Sequence, residues 1–210
     1  MYEYTDKILV IARKRFVRVF NRRRSLLHAD ELNVLDGAKE MYDELEEIAE
    51  QLLLKIAKRY YKTCVKKPKA DIDRDWLLDM LEDYEPLTEY VYLHEVERKR
   101  ARFAESVIAT ANKTKAVGRK NVPTGYDTKP FDNALRYWND MFTQYAILTT
   151  DKAVITAYRD NGIKKVKWYT VPDERRCDDC RDLHGQVFPI DKIPPKPHWR
   201  CRCWWLPVKG

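Results

Sequence analysis

Apolar residues recur at intervals of three and four along the first two-thirds of the chain, the spacing of one helix face. Ile8, Ile11 and Val19 share one such face with the charged Arg15, and a second stripe follows through Leu32, Leu35, Ala38, Met41/Tyr42, Leu45, Ile48/Ala49, Leu52 and Ile56. The second stripe predicts a helix over residues 31–65, about 50 Å long at roughly 1.5 Å per residue. Asp30 is its expected N-cap, and Gly37 is the single interruption before Pro68. A helix of that length calls for packing along a partner helix or subunit. A short helix is expected near residues 73–82, capped by Asp71 or Asp73, with Trp76, Leu77, Met80 and Leu81 apolar. After Pro86 another helix is expected over about 87–112.

The character then changes. Gly118, Pro123, Gly125 and Pro130 fall among basic and polar residues, so 113–130 reads as a hinge or loop. Beyond it a helix is expected over residues 131–148. A second helix begins at Thr149/Thr150 and is closed by Asp160-Asn161-Gly162. Lys165 to Thr170 alternates polar and apolar, a strand signal, and residues 187–190 suggest another short strand. The expected fold class is α+β. A mostly helical arm over 1–112 contains one long helix, and a small C-terminal α+β domain over 131–210 follows the hinge.

Charge sharpens this outline. The 210 residues include 40 Lys+Arg and 33 Asp+Glu, a net +7, and the 44% hydrophobic content is enough for a buried core. No run approaches the roughly 18 apolar residues of a membrane span, and the start, Met1-Tyr2-Glu3-Tyr4, shows no secretory pattern. No membrane partner is expected. The charge is segregated: Arg13 to Arg24 holds seven basic residues and no acid, whereas Asp30 to Glu50 holds nine acids and one base. Such blocks are either solvated helix faces whose signs cancel between neighbours or docking surfaces. On the second reading, Arg13, Lys14, Arg15, Arg18, Arg22, Arg23 and Arg24 form a candidate surface for nucleic acid or an acidic protein.

Four of the five cysteines fall in the last 34 residues, as Cys177-x2-Cys180 and His198-x2-Cys201-x-Cys203. Two thiolates at C-x2-C spacing can face one ion, and a second ligand group further along the chain closes a tetrahedron. Five residues, Cys177, Cys180, His198, Cys201 and Cys203, therefore compete for four positions on a structural zinc. Cys177 and Cys180 are expected in the set, completed by two of the other three. Disulfides between the two groups are the alternative in an oxidising setting. A catalytic zinc would need an open position and a nearby general acid/base, and a redox C-x2-C would need a βαβ setting that is lacking here. His184 is expected beside the site rather than on the ion. Trp168 is expected in the core, because a small metal-stapled unit has little else to bury. Trp204 and Trp205 are candidate contact aromatics.

Several stretches together carry a family resemblance. They are Thr150-Asp151-Lys152-Ala153, Tyr158 to Gly162, Lys167-Trp168-Tyr169-Thr170, Asp173 to Cys180, Leu183 to Phe188, and Pro197 to Cys203. From about residue 131 to 208 the chain resembles the phage Mu protein F-like minor head proteins, the head morphogenesis family of tailed bacteriophages. Two departures are Trp199 after the histidine and the Trp204-Trp205 pair after the last cysteine. The resemblance implies a non-enzymatic virion protein, present in several copies inside the capsid or near the portal after assembly in the host cytoplasm. It implies the portal protein and the major capsid protein as partners, packaged DNA as a neighbour, and a part in head assembly, genome packaging or delivery. A nucleic-acid-binding zinc protein is the alternative, and a hydrolase using His184 with nearby carboxylates is a weaker one.

Overall fold

The computed structural model describes residues 2–82, 92–118, 127–171 and 177–208. Five long or medium helices precede a small sheet: α1 (Glu3–Arg22), α2 (Glu31–Cys64), α3 (Arg74–Glu82), α4 (Tyr92–Val117) and α5 (Lys129–Asp160). The sheet region follows with β1 (Lys165–Tyr169), α6 (Asp178–Leu183), β2 (Val187–Pro189) and β3 (Trp204–Val208). This is the α+β arrangement that the periodicity predicts.

Local chemistry fixes the helix ends. Asp30 caps α2, its Oδ1 accepting the Asn33 N–H at 2.9 Å and its Oδ2 accepting from the Asn33 side-chain amide at 2.7 Å. These bonds hold the Asp30 carboxyl below its ordinary range. Asp73 caps α3 in the same way, accepting the Trp76 N–H at 2.9 Å. Gly37 sits inside α2 because a Cβ there would lie 2.5 Å from Leu26, in the 3-10 turn Arg24–His28. The contact is with the tip of the Leu26 side chain, which packs into the space the glycine leaves, at a helix-propensity cost of roughly 1 kcal/mol.

Two expectations are corrected. Residues 131–160 do not form two helices: α5 runs unbroken for 32 residues. Thr150 does not interrupt it, because its hydroxyl returns a hydrogen bond to Ala146 O at 2.8 Å within the helix. The fourth helix, expected over 87–112, extends to Val117 and closes on Gly118 at φ 75°. The start of that prediction and the Pro123 and Gly125 positions lie outside the described residues.

The chain divides into two compact units built from interleaved segments. One comprises residues 9–51 and 90–142, and its core is aromatic. Phe16 meets Trp138 and Phe142 with ring centroids 5.6 Å apart in both pairs, Tyr42 meets Trp138 at 5.6 Å, and Phe103 stands edge-on to Phe131 at 5.1 Å. Edge-to-face pairs of this kind add about 0.5–1.5 kcal/mol each beyond the area they bury.

The other unit comprises residues 1–8, 52–89 and 143–210 and carries the sheet. The strands lie in the order β2-β1-β3, all antiparallel, with Val166 opposite Phe188 and Trp168 opposite Trp205. Lys165 and Lys167 point to solvent while Val166 and Trp168 are buried, so the predicted alternation places one face on the core. That core joins Ile155 of α5 to Val166, Trp168, Ile190 and Trp205, and it includes Cys180, Cys201 and Cys203.

A candidate metal centre on the sheet unit

Cys177 and Cys180 are positioned by the start of α6. Cys177 is the N-cap, its Sγ accepting the Cys180 N–H at 3.3 Å, so the C-x2-C spacing spans one helical turn. The second group arrives on the Pro-rich segment between β2 and β3. Arg200 takes a left-handed φ of 58°, the Cys201 N–H donates to His198 O at 3.3 Å, and the Arg200 N–H donates to Gln144 Oε1 at 2.7 Å. This tight turn carries His198 and Cys201 round together. Cys201 and Cys203 are buried on either side of exposed Arg202. They share a side as expected, although the residues precede β3 rather than belonging to it.

The five donors form two overlapping triads. Cys177, Cys180 and His198 lie mutually within 4.8 Å, and so do Cys180, Cys201 and Cys203. Cys180 is common to both: its Sγ is 3.3 Å from His198 Nε2 and 3.6 Å from Cys201 Sγ. An ion holding thiolates at ~2.3 Å in a tetrahedron spaces its ligand atoms roughly 3.8 Å apart, close to these separations. His198 Nδ1 lies 2.9 Å from Trp199 O, and donation to that carbonyl leaves Nε2 as the free ligand atom. The soft sulfur and imidazole set fits a zinc-type ion. All five cysteines are free thiols, and the 3.6 Å approach is far longer than the ~2.05 Å of a disulfide.

Burial raises the Cys180 thiol above its ordinary pKa. Cys201 and Cys203 act as a pair, in which Cys201 donates and is pushed up while Cys203 accepts and is pulled down. Thr170 Oγ1 donates its one proton to Cys180 O at 2.8 Å and lies 3.3 Å from Cys203 Sγ, tying the two cysteine segments together. A bound cation would take the place of the protons on this cluster. His184 stands one step away, in neither triad: its Nδ1 accepts the Thr170 N–H at 3.0 Å, and its ring packs on Tyr169 at 5.2 Å. Of the carboxylates near the cysteines, Asp178 pairs with Arg181 at 2.7 Å on the surface, and Asp173 and Glu174 lie outside the described residues.

The aromatic expectations divide. Trp168 is fully buried. Of the two candidate contact aromatics, Trp205 is buried, packed edge-on against Trp168 at 5.6 Å because its register position faces the core. Trp204 points the other way, half-buried, with its ring 4.6 Å from Tyr169. It borders a cavity of about 570 Å³ that opens beside the cluster and is also lined by Asp6, Val171, His198 and Arg202.

The basic run from Arg13 to Arg24 also divides. Arg22 pairs with Glu44, Arg23 with Glu40 at 2.9 Å and Arg24 with Asp132 at 3.9 Å. Arg13, Lys14, Arg15 and Arg18 make no ion pair among the described residues. Arg15 and Arg18, with Arg22, line a 440 Å³ groove on the aromatic unit.

One cluster had no signal in the sequence. Tyr2, Asp151 and Lys196, remote along the chain, form a buried hydrogen-bonded set directly behind the Cys201 and Cys203 main chain. No periodicity or motif spacing connects them.

Residues 134–206 match the family model described as Phage Mu protein F like protein. The match spans most of α5 through β3 and contains all five metal-site donors. No curated protein and no solved structure matches the chain.

Proposed function

We propose, from the premise that residues 134–206 belong to the Phage Mu protein F like family, that the protein is a minor head protein of a tailed bacteriophage whose role is structural rather than enzymatic. The convergence of Cys177, Cys180, His198, Cys201 and Cys203 inside the matched segment carries this reading, because it gives that segment a metal staple. Zinc is the ion the donor chemistry fits. Cys180 and Cys177 anchor it from α6, and His198 with Cys201 or Cys203 completes it. His184 supports the site through Thr170. The protein docks on the portal or the inner capsid wall and works in head assembly, genome packaging or delivery, in several copies, with the portal protein and major capsid protein as partners. No described helix is long and apolar enough to cross a membrane.

Elemental analysis of the purified chain, followed by co-sedimentation with portal assemblies, tests this directly. One zinc per chain and a stable portal complex are expected; a metal-free chain indifferent to portals would overturn the reading. The cations Arg13, Lys14, Arg15 and Arg18, which make no ion pair among the described residues, favour a second reading, contact with packaged DNA. That reading requires an affinity for duplex DNA that falls steeply with salt and weakens when these residues are reversed to Glu.

A further inference from the structure

We infer that the buried Tyr2–Asp151–Lys196 network couples metal loading of the cysteine cluster to the seating of the chain's first helical turns. The inference rests on the metal reading above and concerns residues that hold the donors without being donors.

Tyr2 is buried at 3% exposure, although it stands at the start of the described chain. Its hydroxyl lies 2.6 Å from Asp151 Oδ1 and 3.0 Å from the carbonyl of Cys203. The Lys196 ammonium reaches Tyr2 Oη at 2.7 Å and the carbonyl of Cys201 at 3.0 Å, and it faces Asp151 Oδ2 at 2.5 Å. The main chain of two candidate ligands is thus held from behind by one three-residue network. Arg202, between those ligands, pairs with Asp6 at 2.9 Å and lies over the Tyr2 ring at 5.0 Å. Thr5 completes the seat, its hydroxyl 2.7 Å from that of Thr150 on α5.

A buried Lys–Asp pair is costly to maintain and earns its place only when the remaining donors and acceptors are satisfied. A tyrosine hydroxyl has one proton, so donation from Lys196 lets Tyr2 spend its own on Asp151 or on the Cys203 carbonyl. Removing that hydroxyl takes the donor from the Asp151 carboxylate or the Cys203 carbonyl and takes an acceptor from the buried Lys196 ammonium. The geometry of Cys201 and Cys203 relative to Cys180 therefore depends on residues 2–6 being seated. By linkage, whatever factor seating contributes to metal affinity, metal contributes equally to seating. Tyr2 and Thr5 lie outside the family-matched segment, so the metal centre is supported by chain that the match does not cover.

The full-length chain is titrated with zinc in competition with a chromophoric chelator, and hydrogen exchange at the amides of Thr5 to Ile8 is followed with and without the metal. Tyr2→Phe, which keeps the ring, is expected to weaken zinc binding about 10-fold or more, the effect of losing a supporting hydrogen bond around a metal site. Lys7→Ala, on the exposed side of the same turn, is expected to leave affinity unchanged. In the wild type, zinc is expected to slow exchange at Thr5 to Ile8, and a Tyr2→Phe chain is expected to lose most of that protection. If Tyr2→Phe does not fold, the wild-type exchange measurement decides alone. Zinc binding that is unaltered by Tyr2→Phe, or that leaves exchange at these amides unchanged, overturns the coupling and leaves the metal reading intact. A wild-type chain that binds no zinc overturns both.

Discussion

The two units solve the problem of making a core in opposite ways. The unit of residues 9–51 and 90–142 uses large aromatic rings on long helices, with Phe16, Tyr42, Phe103 and Trp138 each meeting two or more other rings. The sheet unit has three short strands and a core in which Cys180, Cys201 and Cys203 occupy positions that aliphatic side chains would otherwise fill. It also buries an ion pair, Asp151 with Lys196, whereas the ion pairs of the aromatic unit lie near the surface. Burial without a metal leaves thiols and charges with desolvation costs; burial of aromatic rings carries none of that penalty. The aromatic unit draws mainly on buried ring area, whereas the sheet unit packs thiols and an ion pair whose burial calls for partners.

The largest effect expected from breaking this contrast is at Cys180, which belongs to both triads. Cys180→Ser should abolish zinc binding and disorder the sheet unit, because structural zinc supplies on the order of 10 kcal/mol of folding free energy in small sites. Near-ultraviolet signals of Trp168 and Trp205 should collapse, while most far-ultraviolet helical signal persists. A variant that melts like the parent would show that the staple contributes nothing.

Trp138→Ala is the reciprocal change. It empties the centre of the aromatic unit and should cost about 3–5 kcal/mol in chemical denaturation, with zinc stoichiometry unchanged. Loss of zinc in this variant would mean that the two cores are not energetically separate.

A smaller effect distinguishes the acids. Burial raises Asp151 to about 6, opposed by Lys196. Glu46, in the aromatic unit, is raised to about 7 by burial and then by repulsion from Asp43, Glu50 and Glu97. For an acid with a raised folded pKa, the folded state holds a proton that the unfolded chain has lost, so stability falls as pH rises through the interval. For Glu46 that interval runs from about 4.5 to about 7. Glu46→Gln should remove this slope and stabilise the protein at pH 8 by about 1 kcal/mol, discounted for the solvent that reaches the group. Added salt should shrink the Glu46 effect through its like-charge component. Thermal melts across pH 4 to 8 read both.

The smallest expected effect is at exposed ion pairs. Arg22→Ala, which removes the partner of Glu44, should change stability by no more than about 0.5 kcal/mol. A larger loss would mean that the groove lined by Arg15, Arg18 and Arg22 has a structural role in the free chain.

Much of this architecture was legible without coordinates. The apolar stripe from Leu32 to Ile56 and the cap at Asp30 define α2, since both follow from local periodicity and a single short-range hydrogen bond. The alternation Lys165 to Tyr169 defines β1 for the same reason. The C-x2-C and H-x2-C-x-C spacings named the five residues that the fold brings into two overlapping groups, because ligand types at short separations are a local property. The Thr149-Thr150 pair was misleading: hydroxyls that favour helix starts can instead bond back to the preceding turn, and burial within the unit selected the second outcome.

The sequence by itself determined most of the helices, the central strand, the candidate donor types and the match of residues 134–206 to a family model, all carried by residues near one another in the chain. Tertiary structure alone decided that Cys180 is shared by both triads, that Trp205 faces inward while Trp204 does not, and that three of the seven cations from Arg13 to Arg24 are paired. It alone brought Tyr2, Asp151 and Lys196 together, 149 and 194 residues apart along the chain in their contacts with Tyr2. The physical reason is the same in each case. A hydrogen bond or ion pair between remote residues leaves no periodic trace, because its partners are chosen by where the packed chain places them.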